Sequence, residues 1–194
     1  MSTRHADLFR DVAAMMTAAA ESSLPADIDR AIDVIDRAFI DGRKLLVFGN
    51  GGSSADAQHL VAELVGRFAA VRSPLPAIAL TTNQALLTAW SNDDSFDDVF
   101  SRQIVALGVP GDVAMGISTS GASRNVLNAL VAARSRGLRT IGLTGGRPGP
   151  ISDHCDIVLA VPAAETARVQ EVHLVTYHAI CAALEQRLLA RSRE

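Results

Sequence analysis

Five short stretches of the chain, Leu45 to Phe48, Ala77 to Leu80, Val113 to Ile117, Thr140 to Leu143 and Ile157 to Val161, carry almost no polar residue. A strand with one solvated face alternates polar and apolar positions, whereas a strand covered on both faces is apolar throughout. Each run is followed by a polar or glycine-containing turn and mostly then by a helical pattern, which is βαβ alternation. These features predict an α/β fold, a three-layer α/β/α sandwich around a mostly five-stranded parallel sheet. Ahead of the first run the pattern is helical: up to Gly42 two helices are expected, the second with Ile28, Ala31, Ile32, Ile35 and Phe39 on one stripe, Pro25 and Asp27 near its start and Gly42 closing it. The expected organisation is therefore a helical extension over 1–42, packed on the domain and on a subunit interface, followed by one domain over 43–194. No internal repeat or low-complexity segment interrupts it, and the cluster Gly145 to Pro150, the one candidate for a mobile loop, is too short to be a linker.

Composition narrows the function. With 194 residues, 48% of them hydrophobic, and a mean hydropathy of +0.21, the chain can bury a full core. Its 18 Lys and Arg against 21 Asp and Glu leave a net charge of −3 and no basic footprint for nucleic acid. No apolar run approaches the roughly 18 to 20 residues of a membrane span, and Asp7 and Asp11 stand where a signal peptide carries positive charge. Cys155 and Cys181 have neither metal-like nor redox-like spacing, which fits a reducing cytoplasm. Lys44 is the only lysine and lies beside a strand, which argues against Schiff-base chemistry. From about Glu165 the last helix is apolar around much of its circumference, including Val169, Val172, Leu174, Val175, Ile180, Ala183 and Leu184. More burial than one sheet face supplies points to a subunit interface.

Two turns suit a phosphate. The first, Gly49-Asn50-Gly51-Gly52-Ser53-Ser54, leaves a strand and enters a helix, so its backbone N–H groups can face an anion; the same residues also make an ordinary βα turn with Ser53 or Ser54 as N-cap. It is not a Walker loop, because no Gly-Lys-Ser/Thr follows. As a dinucleotide fingerprint it fails at Ser54, where the third glycine belongs, and at the next strand end, which lacks the ribose-binding acid. The second turn, Ser118-Thr119-Ser120-Gly121-Ala122-Ser123, supplies four hydroxyls before a helix with Val126, Leu127 and Leu130. In a parallel sheet both turns leave the same edge and can open on one crevice.

Behind the first turn His59, Glu63 and Arg67 are spaced four apart on one helix face. Such a stripe is commonly a surface ion-pair ladder, but this one begins about two turns from an anion loop, and His with Glu at i, i+4 can share a metal. The final helix adds Gln170, Glu171, His173 and His178. At about 100° per residue Glu171 and His178 are nearly in line, while Gln170 lies roughly 80° from His178, so periodicity nominates Glu171. His5 and His154 have no supporting neighbours and read as surface residues.

Taken in order, Gly49-Asn50-Gly51-Gly52-Ser53, His59…Glu63…Gly66-Arg67-Phe68, Asn92-Asp93, Gly116-Ile117-Ser118-Thr119-Ser120-Gly121 and Arg168-Val169-Gln170-Glu171-Val172-His173 with His178 resemble one family across nearly the whole chain. This is the phosphoheptose isomerase family of the sugar isomerase (SIS) domain, a flavodoxin-like or Rossmann-like fold. The resemblance implies a homotetramer with active sites at subunit interfaces. It places Asn50, Gly51, Gly52, Ser53, Arg67, Asn92, Asp93, Ser118, Thr119, Ser120, Ser123 and Gln170 around a phosphorylated seven-carbon sugar, with Asp94 competing with Asp93. It also implies one zinc ion (Zn2+) per active site on His59, Glu63, Gln170 and His178, the family pattern preferring Gln170 to Glu171.

The chain departs from the family in a short proline-rich loop with Pro148 and Pro150, and in Ala167, where some members have an acid. The implied reaction is a ketose-to-aldose shift through an enediol, with Glu63 as carbon base and His178 as acid/base partner. A glutamate near its ordinary pKa of about 4.3 is a feeble base toward carbon unless the developing charge is stabilised, which zinc does. Two other readings compete. One is an isomerase for another phosphosugar. The other is a non-catalytic SIS module that binds a phosphosugar or associates with the replication initiator; that branch lacks the carboxylate and last histidine, and Glu63 and His178 are both present here.

Overall fold

The computed structural model describes residues 4–147 and 149–193. Two helices open the chain, α1 (Arg4–Ala20) and α2 (Leu24–Ile40), followed by β1 (Leu45–Gly49), α3 (Gly52–Val65), β2 (Ala77–Ala79), α4 (Gln84–Asp93) and α5 (Val99–Leu107). Then come β3 (Val113–Ser118), α6 (Arg124–Ser135), β4 (Arg139–Thr144), β5 (Ile157–Ala160) and α7 (Thr166–Arg191). Every predicted run is a strand, and all pairings are parallel, in the order β2-β1-β3-β4-β5.

The strands point alternate residues into two cores, as a pleated ribbon must. Leu45, Val47, Val113, Met115, Ile141 and Leu143 pack against α2, α3 and α7, while Leu46, Phe48 and Ala114 pack against α5 and α6. This double coverage is why the runs show no alternation. The N-terminal helices join the first layer, with Ile32 and Ile35 of α2 buried in the same core as the strands. No helix among the described residues is long and apolar enough to cross a membrane.

Buried polar groups brace the sheet. Asp112, fully buried, accepts from Lys44 N, Lys44 Nζ and Val109 N at 3.0, 2.6 and 2.9 Å, which accounts for the lone lysine. Cys155 and Cys181 are free thiols, each pushed up to about 12 chiefly by burial. Of the Gly145 to Pro150 segment, Pro148 lies outside the described residues. At its start Gly145 N–H donates to Thr119 O (3.1 Å) and Gly146 N–H to Ala163 O (2.8 Å), contacts that sequence composition does not disclose.

His173 on α7 is completely buried, with its Nε2 3.3 Å from the Thr144 carbonyl. Burial drives its pKa down from 6.5 to about 4, against the opposing pull of that carbonyl. Between those values the unfolded chain binds a proton that the folded chain refuses, so this residue's contribution to stability falls as pH drops through the window. His173→Gln keeps an N–H donor without a titrating ring. Urea unfolding should show the variant losing about 2 kcal/mol less than wild type between pH 7 and 5; parallel pH profiles for the two proteins would reject this account.

Candidate active site

The order of the strands creates a crevice between β1 and β3, where the chain reverses its direction of travel across the sheet. In such sheets ligands bind at this switch point, outside the carboxyl ends of the strands. Both hydroxyl- and glycine-rich turns open there, because Gly49 and Ile117 stand opposite each other in the β1–β3 register. The first turn passes through Gly51 at φ +56°, a conformation suited to glycine, and α3 starts at Gly52 with no side chain capping it. Ser53 and Ser54 are therefore not N-caps. Their N–H groups close on Asn50 O and Gly51 O at 3.0 Å, and Ser53 is buried.

In the second turn buried Ser118 is at the centre. Its Oγ lies 2.9 Å from Ser123 Oγ and 3.5 Å from Ser120 Oγ, while Ser120 Oγ also accepts from Ala122 N–H at 3.3 Å. Thr119 is half-buried beside it. The two turns are joined by a reciprocal amide pair in which Asn50 Nδ2 donates to Asn125 Oδ1 (2.7 Å) and Asn125 Nδ2 donates to Asn50 Oδ1 (2.8 Å). The side chain of Asn50, expected at the substrate, is engaged here with its neighbour. Asn125 escapes sequence reading because its partner lies 75 residues away.

Helices α3 and α7 run side by side in the same direction. The Gln170 amide lies against Gly52 at the start of α3, where even a Cβ would meet its Nε2 at 2.2 Å. One full register further on, Tyr177 reaches His59, its hydroxyl 3.0 Å from His59 Nδ1 and 3.5 Å from Asp56 Oδ1. His59 Nε2 in turn faces Glu63 Oε1 at 3.1 Å. The His178 ring stands edge-on to His59 with centroids 5.1 Å apart, bounded by Tyr177 at 5.0 Å and Phe68 at 5.4 Å, and its buried Nε2 has no partner. The structure thus brings His59, Glu63 and His178 together. Gln170 is not with them in the same chain: it sits seven residues, roughly 10 Å of helix, from His59.

Asp56 and Tyr177 are the neighbours that sequence reading missed, although Asp56 shares a helix face with His59 and Glu63. Burial pushes the Asp56 carboxyl above its ordinary range, opposed by the Tyr177 hydroxyl and His59. Burial, with Asp56 adding to it, also raises Tyr177, which keeps its phenolic proton. The chain after α3 is fixed by Glu185, which accepts from the backbone N–H of Phe68 (3.1 Å), Ala69 and Ala70 (each 2.9 Å) and from Arg72 Nε (3.2 Å). Burial would raise the Glu185 carboxyl, but those three N–H groups and Arg72 outweigh it and hold it below its usual range. This clamp sets Phe68 against His178.

Arg67 is exposed at the end of the same stripe. Asn92 and Asp93 form the last turn of α4, not a free loop; both are exposed and Asn92 Nδ2 donates to Asp93 Oδ1 at 3.0 Å, while Asp94 is the exposed C-cap.

The donor set suits zinc. Two imidazoles sharing a tetrahedral zinc at about 2.0–2.1 Å have ring centres about 5 Å apart, close to the His59–His178 spacing, and a carboxylate lies beside them. Among the described residues no three His, Cys, Asp or Glu side chains already form a metal cage; His59 Nε2 and Glu63 Oε1 face each other at 3.1 Å, and that separation must widen to admit an ion.

Residues 8–145 match the SIS domain family. A phosphoheptose isomerase from Synechocystis is 54% identical over 164 residues, covering 84% of each chain. The chain belongs to the phosphoheptose isomerase family of SIS domains. Among solved structures, phosphoheptose isomerase GmhA from Neisseria gonorrhoeae superposes with a TM-score of 0.89 at 40% identity, covering 94% of this chain and 97% of that one. A phosphoheptose isomerase from Francisella tularensis gives the same TM-score at 36% identity over 93% and 95%.

The two-turn crevice gives a direct test with inorganic phosphate. Millimolar phosphate should raise the melting temperature of the wild type. Asn125→Ala, which unpairs the half-buried Asn50 amide, should cost about 1–2 kcal/mol of stability and at least halve that shift. An undiminished shift would remove Asn125 from the crevice's support.

Proposed function

We propose that the chain isomerises sedoheptulose 7-phosphate to D-glycero-D-manno-heptose 7-phosphate, or its C2 epimer, through an enediol, at the start of nucleotide-activated heptose synthesis. The observation that carries this reading is the His59–Glu63 pair with His178 at its side, presented by a helix that itself begins in a glycine turn. The sugar phosphate is held at the crevice by Ser53, Ser118, Thr119, Ser120 and Ser123 and by the backbone N–H groups of Gly51 and Gly52 ahead of α3, all neutral donors. Arg67, Asn92 and Asp93 contribute to the sugar hydroxyls.

Glu63 removes a proton from C1 of the open-chain ketose. The electron pair moves into the C1–C2 bond, and the C2 carbonyl oxygen takes a proton from His178. In the second half the C1 hydroxyl proton returns to His178, the C1 carbonyl forms, and the proton held by Glu63 is delivered to C2. No net proton or electron is exchanged with solvent. His178 suits this part because it is bounded by Phe68 and Tyr177 and its Nε2 has no competing partner.

Zinc belongs to the same proposal, with His59, Glu63 and His178 as its holders in one chain and Gln170 joining from a neighbouring copy. When bound, the ion supplies Lewis-acid stabilisation of charge developing on oxygen. The separation of Gln170 from the other three donors supports an assembly in which sites are completed across subunit boundaries, and we place them in a homotetramer. So does the apolar groove of Met16, Ala19, Leu24, Ile28, Val172 and Val175 between α1, α2 and α7, with Val175 53% exposed in the single chain.

Glu63→Gln should lower turnover of sedoheptulose 7-phosphate, followed by NMR of the product, by at least about 100-fold while the oligomer persists. Near-wild-type turnover would defeat the assignment. Chelation should likewise abolish most activity and added zinc restore it; full activity in verified metal-free protein would remove zinc from the reaction.

A further inference from the structure

We propose that Asp56 and Tyr177 are a positioning pair for His59: they hold its ring as the Nδ1–H tautomer and so aim a bare Nε2 at Glu63. The inference rests on the reading that His59 and Glu63 belong to the reacting site, and it adds two residues with a defined task.

The argument is one of counting protons. A tyrosine hydroxyl has one hydrogen to give, and an ionised carboxylate has none. Tyr177 is 1% exposed, and its oxygen lies within hydrogen-bond distance of two groups, Asp56 Oδ1 at 3.5 Å and His59 Nδ1 at 3.0 Å. With Asp56 ionised, the Tyr177 hydroxyl is its one donor among the described residues, and the hydroxyl proton goes to Asp56 Oδ1. The tyrosine oxygen then accepts, and the proton on the shorter contact must come from His59 Nδ1. A neutral imidazole with Nδ1–H has a lone pair on Nε2. That lone pair faces Glu63 Oε1 at 3.1 Å, two acceptors directed at one another. Such a pair is ready for something electron-poor between them, a proton, a substrate hydroxyl or a divalent cation. The opposite tautomer would fill the gap with its own hydrogen and close it.

The geometry also explains why a tyrosine serves here. Its ring stands edge-on to both imidazoles, at 72° and 5.4 Å from His59 and 88° and 5.0 Å from His178. One rigid side chain on α7 thereby orients a histidine on α3 through its hydroxyl and borders the histidine next to it in sequence through its ring. This is the role outer partners of ligating or acid–base histidines commonly play, where their loss typically costs about 10–100-fold in metal affinity or activity.

The test is long-range 1H–15N NMR on metal-stripped, histidine-labelled protein in its native assembly, with His59 assigned by the signals missing from His59→Asn. The wild type should show the Nδ1–H tautomer. Tyr177→Phe removes the acceptor, whereas Asp56→Ala keeps the tyrosine but frees its proton to point at Nδ1. Both variants should move His59 to the Nε2–H tautomer, weaken zinc binding about 10–100-fold, and lower kcat more than they raise KM. An Nε2–H tautomer in the wild type, or Nδ1–H retained in both variants, overturns the proposal. If Tyr177→Phe fails to fold, Asp56→Ala decides alone, since alanine is favourable within a helix. The tautomer is read without turnover, so a wild type with the expected tautomer but no isomerase activity would count against the proposed reaction and leave the positioning role standing.

Discussion

The parallel packing of α7 on α3 is the constraint on which the site depends. Three polar contacts repeat along it: Gln170 on Gly52, Tyr177 on His59, and Glu185 on the backbone of Phe68, Ala69 and Ala70 just beyond α3. Gln170 and Tyr177, like Gly52 and His59, are seven residues apart, close to two helical turns, so the first two contacts return to the same face. Between them Ala57, Leu60 and Leu64 of α3 and Val169, Val172, Ile180, Cys181 and Leu184 of α7 are buried in one core. A slip of one residue would rotate each face by about 100°, turning Tyr177 away from His59 and exposing that core. The apolar packing therefore enforces the polar alignment.

The two turns themselves, 50–54 and 118–123, carry hydroxyls, amides and glycines and no charged side chain. The strongest buried pairs lie elsewhere, Lys44 with Asp112 beside the amino ends of the strands and Arg72 with Glu185 after α3. Breaking one partner of such a buried pair typically costs about 3–5 kcal/mol, which makes them structural braces. At the carboxyl ends of β1 and β3 the groups are hydroxyls, amides and helix N–H donors. Neutral donors of this kind can orient an anion by geometry, and the reciprocal Asn50–Asn125 pair joins the two loops without adding a charge.

The sheet was legible because its signal is local. A strand apolar on both faces needs helices on both sides, and each of the five runs shows this without reference to any other. The glycine-rich and hydroxyl-rich turns and the His59–Glu63 stripe were legible for the same reason, as patterns within one loop or one helix. What sequence could not show are pairings between distant segments: Asn50 with Asn125, Tyr177 with His59, Glu185 with the turn after α3. Tyr177 reads as one more apolar position on a helix already full of them. Ser53 and Ser54 also misled, since a serine after a glycine turn is an ordinary cap, whereas here Gly51 caps α3 and the serines fall inside it. The angular argument that favoured Glu171 counts positions on α7 alone and does not show that Gln170 packs against Gly52 at the start of α3.

The two histidines of α7 show how surroundings, not residue type, separate structure from chemistry. His173 lies within the family motif, yet it is sealed in the core, neutral, and committed to the Thr144 carbonyl. Protonating it costs folding free energy, so it cannot exchange protons near neutrality without loosening the sheet edge it braces. His178, five residues on, is only partly buried, has Nε2 free, and stands beside an imidazole that is itself held by a tyrosine and faces a carboxylate. A buried polar atom without a partner costs about 1–3 kcal/mol, and a fold has reason to retain it where a ligand supplies the missing bond. His178 is bordered by the rings of Phe68 and Tyr177, and none of the described residues donates to its Nε2.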